Sequence, residues 1–322
     1  MSYEFEKYIC SKENLQETIN KFGVAIIPNV LDETECTDMV NKMWDYVEHL
    51  SQSWEQPIQR DNKDTWREFY KLYPSHSMLL QYFGVGHTQA SWDVRQNPKI
   101  VDIFASFWKC SPEDLLVSFD GLSFHLPPEI TNKGWFRGNT WYHTDQSYTT
   151  PEFQCIQSYV TGLDINEYDA TLSIMESSNQ FHTEFRDTYQ VTDTSDWYKL
   201  SAEQQQFYAD KGCQIKHIKC PKGSLVFWDS RTIHCGIECN KKRESPNLRA
   251  VIYLCYMPRQ MATPANIKKK QKAFQELRTT SHYPCKIKLF SKKPNTYGKE
   301  LPDMPPMNAP SLTELGLKLV GF

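Results

Sequence analysis

Gly223-Ser-Leu-Val-Phe-Trp-Asp-Ser-Arg-Thr-Ile-His234 reads as an apolar strand that runs into a polar turn and then presents a histidine. Working outward, similar short β-type runs recur at 115–119, 154–162, 170–175, 213–219, 224–228 and 248–257, each bounded by turn residues. Six such runs predict a sandwich or jelly roll, so the chain is expected to be mainly β with helical decoration. Before residue 115 the pattern changes. Ser11-Lys-Glu-Asn opens a short helical pattern with Leu15, Ile19 and Phe22 on one side, closed by Gly23. Val24 to Ile27 is a β-branched run halted by Pro28. Asp32 then caps a long amphipathic helix through Met39, Val40, Met43, Trp44 and Val47. Pro98 to Trp108 gives a third helix, whereas residues 51–90 show no usable period. Beyond Pro258, Lys268, Lys269, Lys270 and Lys272 read as the solvated face of a surface helix, and Pro302 to Pro310 as an irregular tail. The expected organisation is one domain over 1–322, with a mainly helical part at 1–114, a jelly-roll core at 115–258 and an extension at 259–322.

Bulk composition narrows the function classes. With 322 residues, 39% of them hydrophobic and 13% aromatic, the chain can bury a large core. Its 36 basic and 39 acidic residues nearly cancel, which leaves no global field to draw in nucleic acid or an anionic membrane. The ten cysteines form no C-x-x-C pair and read as reduced thiols. The first residues have no apolar leader, no run of about 18 apolar residues occurs, and Leu-Val-Gly-Phe322 is not a peroxisomal address, so a soluble cytoplasmic protein is expected.

The chemistry concentrates in three places. In Trp141-Tyr-His-Thr-Asp145, His143 and Asp145 are two residues apart, so in extended chain both side chains leave the same face of a strand. Alone that pair is a common coincidence, and His234 alone is as readily a satisfied core histidine. Together, two imidazoles and one carboxylate occupy one face of an octahedral metal and leave the other open, the arrangement of non-haem iron(II) oxygenases. Zinc more often takes four closed ligands. Arg249 is a lone charge near the start of Asn247-Leu-Arg-Ala-Val-Ile-Tyr-Leu-Cys-Tyr-Met-Pro258 and needs an anion. The distal carboxylate of 2-oxoglutarate matches its two-pronged geometry. The bland alternative is an edge-strand arginine paired to a surface acid. Arg243, in a polar loop, is the fallback.

In this order the pieces resemble the phytanoyl-CoA dioxygenase-like family of iron(II)/2-oxoglutarate oxygenases. The resemblance runs from about Phe22 to Pro258. It covers Phe22-Gly-Val-Ala-Ile-Ile-Pro-Asn-Val-Leu, His143-Thr-Asp-Gln146, Leu172-Ser-Ile-Met-Glu-Ser-Ser-Asn-Gln-Phe-His182 and Lys222-Gly-Ser-Leu-Val-Phe-Trp-Asp-Ser-Arg-Thr-Ile-His234 ahead of Arg249. It implies a double-stranded β-helix, a mononuclear iron(II), 2-oxoglutarate and O2 as cosubstrates, and hydroxylation of an unactivated carbon. The chain departs from the family at Ser177-Ser-Asn-Gln180, where Pro-Gly-Ser-His is usual, and in the charged spacer from Asn240 to Glu244. Gln157 joins Arg249 as an expected cosubstrate contact, although period alone does not choose between it and Ser158 for the cavity face. Asp120 and Trp141 are expected to meet the substrate, which is taken to be a small molecule; an aspartate before glycine is otherwise an ordinary turn former. The rival readings are a non-catalytic jelly-roll binding module and an oxygenase acting on a protein side chain. A halogenase is disfavoured because Asp145 fills the position a halide would take.

Overall fold

Both faces of the strand at Leu225–Asp229 are buried, which is why its sequence is a continuous apolar run rather than an alternating one. The computed structural model describes residues 2–74 and 79–322, and among these thirteen strands fall into two sheets. In chain order they are β1 (Tyr3–Glu4), β2 (Val24–Ile27), β3 (Leu79–Leu80), β4 (Leu115–Val117), β5 (Leu122–His125), β6 (His143–Thr144) and β7 (Ile156–Thr161). Then come β8 (Thr171–Met175), β9 (Tyr198–Lys199), β10 (Ile215–Ile218), β11 (Leu225–Asp229), β12 (His234–Ile237) and β13 (Arg249–Pro258). The minor sheet runs β1-β10-β8-β12-β6-β9 and the major sheet β2-β11-β7-β13-β5-β3, with β4 also on β13. From β6 to β13 the chain passes back and forth between the two sheets. The fold is therefore a double-stranded β-helix, as the short, evenly spaced runs predict. The N-terminal strand β2 belongs to it, paired along β11 from Leu225↔Ile27 to Trp228↔Val24.

The two-residue period sorts the side chains. Tyr159 on β7, Val226 and Trp228 on β11, Val251 on β13, and Leu172 and Ile174 on β8 form the interior between the sheets. Val160, Leu225, Phe227, Ile252 and Leu254 point the other way, into the largest apolar cluster. The helices Glu33–Ser51, Gln89–Arg95 and Pro98–Trp108 supply the rest of that cluster, so each buried face contributes roughly 2 kcal/mol per large side chain withdrawn from water. Gly223, two residues ahead of β11, holds a position where no other residue fits. Its φ is +76° and a Cβ would lie 2.2 Å from the Leu31 carbonyl oxygen.

Several local expectations change. Asp32 does cap Glu33–Ser51 and forms a reciprocal capping box with Glu35. Ser11, however, caps nothing. The first helix is Leu15–Phe22, with Asn14 at its N-cap and no side-chain cap bond. The lysine run lies on the helix Pro264–Gln275, but consecutive residues turn by about 100° around a helix, so four lysines in five positions cannot share one face. Lys270 is fully buried, its Nζ 3.5 Å above the Phe119 ring centroid, and burial holds its amine well below the usual lysine range. All ten cysteines are free thiols. Among the described residues no helix is long and apolar enough to cross a membrane.

Candidate metal centre

Antiparallel register puts His143 of β6 directly opposite His234 of β12, so the two rings leave the same face and sit 4.3 Å apart at their centroids. Asp145 follows two residues after His143 and is held through its own backbone. Its N–H donates to the Ser230 carbonyl at 2.9 Å, and the Tyr283 hydroxyl donates to its carbonyl at 3.2 Å. Its carboxylate oxygens lie 3.5 Å from His143 Nε2 and 3.3 Å from His234 Nε2. One ligand atom from each of the three residues falls within 4.8 Å of the others.

The tautomers follow from the neighbours. His143 Nδ1 faces the Trp141 carbonyl at 3.1 Å and His234 Nδ1 faces the Thr232 carbonyl at 2.9 Å. A carbonyl only accepts, so each Nδ1 carries a proton and each Nε2 is the ring atom turned toward the shared point, where its lone pair is what a metal would take. Burial, reinforced by the neighbouring His234, holds the His143 imidazole below its ordinary range. Burial alone would raise Asp145, but the two imidazoles hold it well below the usual carboxylate range. Two imidazole nitrogens and one carboxylate oxygen converge, which is a donor set for a divalent metal.

The three residues open on a cavity of about 420 Å³ between the sheets. Gln157 faces it, whereas Ser158 turns outward and bonds the Leu254 carbonyl. The Gln157 amide donates to Asp145 Oδ2 at 3.0 Å and lies 3.4 Å from Ser230 Oγ, so it fixes the carboxylate's orientation. Trp141 also lines the cavity. Its ring stacks on His143 at 4.7 Å, and its Nε1 donates to the Gly236 carbonyl. Asp120 lines the same space half-buried, and burial pushes its carboxyl up to about 7.

Arg249 starts β13 with 5% of its surface exposed and projects into this cavity. Among the described residues it makes no ion pair. Its Nε has no hydrogen-bond partner, and the guanidinium lies 5.4 Å from the Tyr159 ring centroid. Tyr159 Oη, Trp228 Nε1 and His282 Nε2 line the same cavity and are also buried without a partner. An unmet buried donor costs roughly 1–3 kcal/mol, so four around one space describe a cavity built for a polar ligand.

Arg243 is not the solvated loop residue its sequence context predicts. Its side chain is 3% exposed, ion-paired to Glu129 and 3.1 Å from Asp169, and it also bonds the Asn247 carbonyl. It lies outside the cavity lining and its charge is already met. Arg243→Ala is expected to destabilise the protein by ~3 kcal/mol by stranding two partly buried carboxylates. The midpoint of urea unfolding checks this, with cosubstrate affinity unchanged in the folded fraction.

The sequence reading missed several cavity residues, Trp197 and Tyr253 among them. Tyr159 was reachable, since it shares a face of β7 with Gln157, and Trp228 lies within the run that leads into His234. Another group comes from the C-terminal extension: Ser281, His282, Tyr283, Lys288 and Phe290 line the cavity, and Lys288 pairs at 2.7 Å with Asp196 on another lining segment. No local pattern announces such a wall.

Fold and site together define a jelly-roll protein that carries a two-histidine, one-carboxylate set on and just beyond two neighbouring strands of one sheet. No family model matches the chain. It is 24% identical over 277 residues, 84% of its length and 85% of the relative's, to Ava biosynthesis cluster protein O of Aspergillus versicolor. In fold it is similar to a Salmonella typhimurium LT2 protein, with a TM-score of 0.59, 12% identity, and 98% of this chain and 86% of that one covered. It is also similar to the GlcNAc-inducible gene product GIG2 (DUF1479) of Candida albicans, with a TM-score of 0.54, 14% identity, and 82% and 67% covered.

Proposed function

We propose that this protein is an iron(II)- and 2-oxoglutarate-dependent oxygenase that hydroxylates an unactivated carbon of a small molecule. The observation that carries the reading is Arg249, a buried guanidinium without a carboxylate on the same cavity as His143, Asp145 and His234. A dicarboxylate with one end at the triad and the other at Arg249 satisfies both. The donor set suits iron(II), and the order of motifs is that of the phytanoyl-CoA dioxygenase-like family. The printed name of the Aspergillus relative, a biosynthesis cluster protein, favours a small-molecule substrate over a protein side chain. Strands from before residue 115 and cavity walls from after residue 258 support treating 1–322 as one domain, and ten free thiols fit a cytoplasmic setting.

On this reading His143 and His234 hold the metal through Nε2 and Asp145 through its carboxylate, while Gln157 keeps that carboxylate aimed. Arg249 grips the distal carboxylate of 2-oxoglutarate, with the Tyr159 hydroxyl as a second donor. Iron bound there supplies the dioxygen chemistry, in which 2-oxoglutarate is converted to succinate and carbon dioxide. Trp141, stacked on His143, and the wall from 281 to 290 orient the substrate and keep water from the reacting centre. The test is an anaerobic titration of the protein with iron(II) and then 2-oxoglutarate, followed by a metabolite screen for stimulated succinate release. Saturable 2-oxoglutarate binding that requires the metal is expected; its absence would remove the reading.

A further inference from the structure

Asp120 is a carboxylate on the cavity that lies outside the metal set. It sits at the turn between β4 and β5, where Gly121 cannot carry a side chain because a Cβ would lie 2.0 Å from the Leu80 carbonyl oxygen. That close approach fixes the turn and presents the Asp120 carboxylate to the cavity. One oxygen accepts from the Gly121 N–H at 2.7 Å. Among the described residues no lysine, arginine or histidine pairs with the carboxylate. Arg95, the nearby cation, directs its guanidinium to the main-chain oxygens of Gly86 and Asp120 and does not line the cavity. Lys288, which does line it, is taken by Asp196.

We infer that Asp120 anchors a positively charged nitrogen, so that the substrate is a protonated amine with an apolar or aromatic body. This rests on the oxygenase reading through a charge balance. A divalent ion and the Arg249 guanidinium are cancelled by the two carboxylates of 2-oxoglutarate and by Asp145, and the Lys288–Asp196 pair cancels itself. That leaves Asp120 with Arg95 behind it: this buried guanidinium acts on the carboxylate through space but spends its hydrogen bonds on main-chain oxygens, so among the described residues no cation bonds the carboxylate from the cavity side. An ammonium on the substrate answers it. The remaining walls suit the rest of such a molecule: Trp197, Tyr253 and Phe290 put aromatic rings on the lining, a surface that attracts a cation and covers an apolar body. Burial already pushes the Asp120 carboxyl up to about 7, and an ammonium beside it favours the ionised form.

The experiment measures binding by calorimetry under anaerobic conditions to protein loaded with iron(II) and 2-oxoglutarate. The probes are butylamine, phenethylamine and tryptamine, each against its neutral alcohol counterpart. At least one amine is expected to bind about tenfold or more tighter than its alcohol. Asp120→Asn, which keeps the oxygen that Gly121 bonds, should erase that preference and leave 2-oxoglutarate affinity unchanged. Asp120→Ser repeats the test should the asparagine variant fold poorly. Alcohols binding as tightly as amines, no amine binding at all, or an amine preference that survives both substitutions would each overturn the assignment. Failure of 2-oxoglutarate to bind the parent protein is a separate readout and counts against the oxygenase reading instead.

Discussion

Replacing His143 or His234 by alanine is expected to abolish iron retention and 2-oxoglutarate turnover while leaving the fold intact. On the proposed reading each substitution removes one of three protein ligands. Changes to groups that merely orient a ligand already cost about ten- to a hundredfold in metal affinity, so loss of a ligand itself should exceed about a hundredfold. The fold should survive because the backbone pairing at His234↔His143 is kept and the lost side chains face the cavity rather than an apolar cluster. Asp145→Gly should be as severe by another route, since its carboxylate is the one anionic ligand of the set. It also leaves the Gln157 amide without its main acceptor. Metal content after desalting, with succinate release and a melting curve on the same sample, reads all three variants. Undiminished iron binding and turnover in any of them would take that residue out of the site.

The second large effect is expected at Arg249. If its guanidinium holds the distal carboxylate through two charge-assisted hydrogen bonds, Arg249→Ala forfeits roughly 2 to 4 kcal/mol of cosubstrate binding, about a thirtyfold to several-hundredfold rise in the apparent KM for 2-oxoglutarate. Iron affinity should barely move, because Arg249 lies outside the ligand set. Arg249→Lys should recover only part of the loss, since an ammonium restores the charge but not the planar fork. Arg243 cannot serve as the control, because removing it damages a buried ion-pair cluster. Lys242→Ala, an exposed residue of the same loop, should leave saturation unchanged. Succinate release measured against 2-oxoglutarate concentration separates these outcomes. An unshifted curve for Arg249→Ala would mean that another anion answers this arginine.

Where sequence reading worked, the signal was local. The pair His143 and Asp145 was legible because a spacing of two on an extended chain has one geometric meaning. The run into His234 was legible because a buried strand must be apolar and its polar turn must follow. The capping box at Asp32 and the helix Pro98–Trp108 are local in the same sense. Where it failed, partners distant in sequence decided. Lys270 is buried because its helix packs on Phe119, about 150 residues earlier in the chain. Arg243 is neutralised by Glu129 and Asp169, 114 and 74 residues away, and no loop composition can report that. Gln157 and Ser158 were equivalent until neighbouring strands defined an inside.

By itself, then, the sequence determined the class of fold, the two halves of a possible metal site and a charge in need of an anion, because strand period and hydrophobic patterning act over a few residues. Only the tertiary structure decided that His143 and His234 are opposed on neighbouring strands and that Arg249 rather than Arg243 is unpaired on their cavity. It also decided that residues from 281 to 290 wall the cavity and that Asp120 lines it without an ion pair among the described residues. Those outcomes depend on which long-range pairings bury the most apolar surface, a property of the whole packed chain and of no segment in it.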